Sequence, residues 1–134
     1  MKENQKKSKT ESIKDYRIDL TDELSEKIIR ELKLMPPGKC GLLVIKGPNI
    51  GDKFFIDKEE SFIGRSPESD VLLDDITVSR KHVILKKENE NCRLIDTGSL
   101  NGSYLNGNIV EEALLQDGDR LQIGKYIFLF FSTK

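Results

Sequence analysis

The sequence predicts an all-β sandwich of two sheets, preceded by a disordered tail and one short amphipathic helix. Two observations carry that expectation. After Gly38 the apolar residues come in short runs broken by Gly, Asn, Asp, Ser or Pro, the pattern of short strands joined by tight turns. Before it, Leu24, Ile28 and Leu32 recur every four residues, the spacing of one apolar helix face.

Taken in order, residues 1–20 form a polar tail, because Met1–Thr10 holds no apolar residue beyond the first and nothing there offsets the entropy of ordering. The helix is expected over 22–34. Thr21 is placed to cap it, Asp22, Glu23 and Glu26 come early, and Lys27, Arg30 and Lys33 come later, as the helix dipole favours. Pro36-Pro37-Gly38 ends it, since proline cannot continue a helix; residues 21–38 are thus helix and linker. The β domain is expected over 39–134. A first hairpin joins 41–45 to 53–56 through Gly47-Pro48-Asn49-Ile50-Gly51-Asp52. Further strands are expected over 61–64, 70–73, 82–86, 92–95, 104–105, 109–110, 120–123 and 126–131. Asn106-Gly107 lies between two strand-like pairs and reads as a hairpin turn. Asn101-Gly102 follows an irregular stretch, Asp96-Thr97-Gly98-Ser99, so there the glycine allows a close backbone approach while the asparagine side chain is displayed.

A chain of 134 residues can bury one core plus an appendage. With 22 basic and 23 acidic residues and a net charge of -1, composition gives no support to nucleic-acid or membrane partners. The longest apolar run, Tyr126–Phe131, falls short of the roughly 20 residues of a membrane span, and no signal-peptide pattern opens the chain. A cytoplasmic location is expected. Cys40 and Cys92 are distant in sequence and lack metal-spaced companions, which fits two reduced thiols better than a disulfide framework.

The chemistry lies in the loops. Arg65 follows Ile63-Gly64 at the end of a strand, Ser79 and Arg80 precede His82, and Asn101 stands before Gly102. Ser79 and His82 are three apart and would face opposite sides of a strand, so they are not read as nucleophile and base. Asp70, Asp74 and Asp75 lack the spacing of a calcium loop. No catalytic motif is present, and no enzyme activity, cofactor or metal is expected. An arginine at one loop is usually only solvated. Two arginines, a hydroxyl and an amide on separate loops are donors suited to holding a phosphate.

These residues resemble the forkhead-associated (FHA) domain across about 41–132. The resemblance is carried by Ile63-Gly64-Arg65, Ser69-Asp70-Val71-Leu72-Leu73-Asp74, Val78-Ser79-Arg80-Lys81-His82, Asp96-Thr97-Gly98-Ser99-Leu100-Asn101-Gly102-Ser103 and Leu114-Leu115-Gln116-Asp117-Gly118-Asp119. It implies loops at one end of a sandwich that bind a phosphothreonine peptide, in serine/threonine kinase signalling. Arg65 and Ser79 would meet the phosphate, Arg80 would add charge, and Asn101 would fix the peptide main chain. Ser103 and Asn106 belong to the stretch that would read the residue three beyond the phosphothreonine, while Gly64, His82 and Gly102 would support the loops. Ser103 stands where the family commonly has threonine, and Leu100 supplies no hydroxyl where some members have one. The alternative is an FHA fold serving as a phosphate-independent interaction scaffold. A further expectation is self-recognition. Thr10 and Thr21, candidate phosphorylation sites for a kinase, each have an aliphatic residue three positions on, Ile13 and Leu24, and about thirty residues separate Thr10 from the first strand, enough for an intramolecular contact.

Overall fold

The computed structural model describes the backbone of residues 22–133 and the side chains of residues 26–133. One helix, α1 (Asp22–Leu34), precedes eleven strands: β1 (Lys39–Lys46), β2 (Lys53–Phe55), β3 (Glu60–Gly64), β4 (Val71–Leu72), β5 (Val83–Glu88), β6 (Asn91–Asp96), β7 (Ser103–Leu105), β8 (Asn108–Val110), β9 (Glu112–Leu115), β10 (Arg120–Ile123) and β11 (Tyr126–Thr133). They form a six-stranded sheet in the order β2-β1-β11-β10-β7-β8 and a five-stranded sheet in the order β4-β3-β5-β6-β9. Thr10, Thr21 and the rest of the expected tail lie outside the described residues.

Strands alternate their side chains between two faces, and here the two faces of β1 and β11 are buried in different ways. Leu42, Val44, Phe128 and Phe130 point into the core between the sheets, with Ile63, Leu85 and Leu94 from the other side. Leu43, Ile45, Leu129 and Phe131 form a second cluster with Ile28 and Leu32 of α1. The amphipathic stripe of the helix therefore packs on the outer face of the six-stranded sheet. This explains the continuous apolar runs in β1 and β11, where a half-exposed strand would alternate. Glu31 binds Lys53 of β2 in an ion pair, and Phe55 packs edge-to-face on Phe131, with ring centroids 5.9 Å apart.

Strand β9 is an element that the sequence reading left out. Glu111-Glu112-Ala113 has poor strand propensity, yet Cys92–Ile95 of β6 pairs with Glu112–Leu115. Pairing with a neighbouring strand outweighs local preference there. The stretch expected as a strand over 70–73 supplies only the two residues of β4, which run parallel to β3. Among the described residues no helix is long and apolar enough to cross a membrane.

Leu32 is 7% exposed. Leu32→Ala is expected to lower the free energy of unfolding by about 2 to 4 kcal/mol, read from urea denaturation. A change below about 0.5 kcal/mol would show that the helix adds no docking energy.

Candidate functional site

The β3–β5 ladder continues past both strands into their loops. Arg65 N–H donates to the Ser79 carbonyl and Ser66 N–H to the Arg80 carbonyl, both at 3.0 Å. Such close backbone contact requires glycine at 64, because a Cβ there would lie 2.1 Å from the Arg80 oxygen. Arg65, Ser79 and Arg80 are thus brought to one end of the sandwich by main-chain pairing.

His82 joins a third loop to these two. It is 0% exposed. Its Nδ1 accepts the Ser79 N–H at 3.0 Å, and its Nε2 lies 2.8 Å from the Gly102 carbonyl. A backbone N–H only donates and a carbonyl only accepts, so the ring carries its proton on Nε2. Two more bonds close the same gap: Leu100 N–H donates to Ser79 Oγ at 3.0 Å, and Asn101 Nδ2 donates to the Thr77 carbonyl at 3.1 Å. Ser79 keeps its own O–H to donate, and Asn101 keeps an acceptor oxygen. Gly102 has φ of 82°, a conformation that favours glycine.

The loop bearing Asn101 is organised by Asp96, a residue to which the sequence reading gave no role. Its Oδ1 accepts the N–H groups of Gly98 and Ser99, each at 2.8 Å. Its Oδ2 accepts the hydroxyls of Ser99 and Ser103, each at 2.6 Å. Burial pushes the Asp96 carboxyl up, but the hydroxyls of Ser103 and Ser99 and the two amides more than offset it, so the group is held below the usual carboxylate range. The signal was present: an aspartate followed two residues later by glycine is a common opening of a side-chain-capped turn.

The loop before Ser79 is held by Asp75. Lys125 pairs with it at 2.8 Å, and Thr77 donates to it through both N–H and Oγ1. The Lys125 ammonium first, then the Thr77 donors, hold the Asp75 carboxyl at about 2. Thr77 Oγ1 in turn accepts Lys125 N–H at 3.0 Å, tying this loop to the β10–β11 turn.

Arg65 is half-buried, and its Nε donates to the Val78 carbonyl at 3.1 Å. That bond fixes the guanidinium plane and leaves the terminal nitrogens for a ligand. Arg80 is exposed. Among the described residues neither arginine takes part in an ion pair.

The FHA domain family model matches residues 62–124, which holds Arg65, Ser79, His82 and Asn101. The glycogen accumulation regulator GarA of Mycobacterium tuberculosis is 40% identical over 124 residues, covering 87% of this chain and 76% of that protein. The chain belongs to the FHA domain family. The oxoglutarate dehydrogenase inhibitor of Corynebacterium diphtheriae is 44% identical over 96 residues, covering 71% of this chain and 67% of that protein. Among solved structures, an FHA domain from a study of phosphothreonine-dependent FHA domain interactions superposes with a TM-score of 0.67 at 25% identity, covering 72% of this chain and 98% of that one.

Two residues expected at the FHA peptide surface lie elsewhere. Ser103 is 0% exposed, and its hydroxyl is spent on Asp96; it braces the loop from beneath. Asn106 sits at the far end of β7 from Gly102, in the turn to β8 with φ of 51°. Its amide bonds the Asp119 side chain and the Arg120 N–H at 3.0 and 2.9 Å, so it holds a turn rather than facing the loops. In their place, Ile76 and Leu100 stand 92% and 89% exposed beside Thr77 and Asn101, two apolar side chains at the mouth of the site.

A carboxyl held low contributes stability above its unfolded value of about 3.9, and that contribution is lost as pH falls through the folded value. Asp96→Asn is therefore expected to cost roughly 1.5 to 3 kcal/mol at pH 7, with the gap to wild type narrowing from about pH 4 downward. A gap independent of pH would show that the carboxylate charge is not its source.

Proposed function

We propose that this chain is a phosphothreonine-peptide receptor whose ligand phosphate is held by Arg65 and Ser79, with Arg80 adding positive potential and Asn101 fixing the peptide main chain. The observation that carries the reading is the convergence of Arg65 and Arg80 at one end of the sandwich, neither of them in an ion pair among the described residues. A phosphothreonine supplies about -1.5 to -2 charges and three acceptor oxygens. Each hydrogen bond to it contributes roughly 1.5 to 3 kcal/mol, so three contacts are enough for micromolar affinity after association costs. Gly64, His82 and Gly102 act on the site through the loops they hold.

The ligand includes the protein's own N-terminal segment once a serine/threonine kinase has modified Thr10. Ile13, three residues beyond Thr10, matches the apolar side chains of Ile76 and Leu100. Thr21 is the less favoured site, because its place in the sequence gives it the simpler role of a helix cap. A tethered ligand acts at an effective concentration in the millimolar range, so modification of Thr10 excludes external partners. The name of the Corynebacterium diphtheriae relative supports an external partner of the oxoglutarate dehydrogenase kind. The apolar mouth also favours the second reading, phosphate-independent docking of such a partner on the same loops.

Calorimetry with matched threonine and phosphothreonine peptides separates these readings. Binding is expected only for the phosphorylated peptide, weakened about 10- to 100-fold in Arg65→Ala; equal binding of both peptides would favour the phosphate-independent reading. In chain phosphorylated at Thr10, affinity for the external phosphopeptide is expected to drop at least about tenfold, and undiminished affinity would remove the tail as a ligand.

A further inference from the structure

The loop between β6 and β7 has two sides, and the phosphate site uses one of them. On that side the Gly102 carbonyl meets His82 and Leu100 N–H meets Ser79. On the other, Gly98, Ser99 and Gly102 form one wall of a surface cavity of about 430 Å³. Ile109, Val110 and Glu111, from the end of β8 and the turn into β9, form the opposite wall. Asp96 N–H donates to the Glu111 carbonyl at 2.8 Å and ties the two walls together. Glycine at 102 lets them come this close, because a Cβ there would stand 2.9 Å from Ile109 Cδ1. Ser99 and Gly102 flank Leu100-Asn101, so a peptide main chain held at Asn101 runs along the edge of this cavity.

The chemistry of the cavity is the reverse of that at the phosphate site. Its apolar part is aliphatic: Ile109 is 65% exposed, and Val110 is half-buried beside it. Its charge is negative. Asp96 contributes field rather than a contact, since both of its oxygens are taken by donors of its own loop. Glu111 is exposed and, among the described residues, in no ion pair, whereas Glu112 next to it is held by Arg93. An aliphatic wall ending in such a carboxylate suits a side chain that is apolar along its stem and cationic at its tip. An acidic side chain is repelled there, and an aromatic one leaves Glu111 without a partner.

We infer that this cavity is a second subsite of the phosphothreonine-peptide site and takes a lysine or arginine of the same peptide. The inference rests on the phosphothreonine reading above. The stem of the basic residue lies on Ile109 and Val110, and its ammonium or guanidinium pairs with Glu111. The peptide is then read at two points of opposite sign on the two sides of one loop, its phosphate at Arg65 and its cation at Glu111. That arrangement also fixes the peptide's direction, because the reversed chain would bring phosphate to carboxylate and cation to arginine.

The test binds the full chain to a peptide library with one fixed phosphothreonine and every other position varied, followed by calorimetry on single peptides. The expected result is a preference for lysine and arginine over alanine at one position, about 3- to 10-fold in affinity, which shrinks as sodium chloride is raised. In Glu111→Gln the ratio of basic to alanine peptide is expected to fall to about one. In Glu111→Lys an acidic residue is expected to become the preferred choice at that position, an inversion that loss of structure could not produce. Phosphate-dependent binding without a basic preference, a preference indifferent to salt, or one that Glu111→Lys leaves in place would overturn this inference alone. Binding without phosphate dependence, or no binding, would overturn the phosphothreonine reading and this inference with it. The salt dependence of the wild-type ratio decides the matter even if a variant fails to fold.

Discussion

The loop end of the molecule depends on one buried imidazole. His82 takes an N–H from the loop that carries Ser79 and gives its own to the carbonyl before Ser103, while its main-chain N–H extends the ladder to Ile63. A ring in this position does what no aliphatic side chain of similar volume could, because both of its polar edges are used on backbone groups that would otherwise be buried without partners. Fixing three loops before any ligand arrives removes much of the ordering cost from the binding step. The loops can therefore be irregular in conformation and still well defined in geometry.

The distribution of charge follows a related logic. Arg93 sits between Glu88 and Glu112, Lys86 beside Glu60, and Lys125 on Asp75. Exposed pairs of this kind contribute little to stability; their effect here is to leave the field of the surface nearly neutral, so that Arg65 and Arg80 stand out locally in a chain of net charge -1. Two carboxylates of the loop end, Asp75 and Asp96, are each turned inward onto donors of their own loops, while Glu68 lies within the field of Arg80. Asp75 and Asp96 shape the loops without pairing with either arginine.

Much of this was legible in the sequence. Turn residues and short β-rich runs announced the sandwich, and the i, i+4 stripe of α1 announced an apolar face that had to be covered. The gathering of Arg65, Ser79 and Asn101 at one end was legible because Gly64 and Gly102 adjoin two of them and His82 follows the third by three residues. What failed had a common cause. Strand parity turns Ser103 inward to Asp96, the turn after β7 engages both ends of the Asn106 amide, and β9 is a strand because of its pairing partner and not its own composition.

The placement of β11 beside β1 has a further consequence. Lys39 N–H reaches the Thr133 hydroxyl across 94 residues of chain, and both apolar clusters draw on these two strands. The first of the eleven strands to be synthesised therefore waits for the last before either face of it can be covered completely. Loop closure over such a span must precede its reward, so until β11 is made the strand holding Leu42–Ile45 is paired along its β2 edge alone. A segment so rich in β-branched and aliphatic residues is the part of this protein most in need of protection until the final strand arrives.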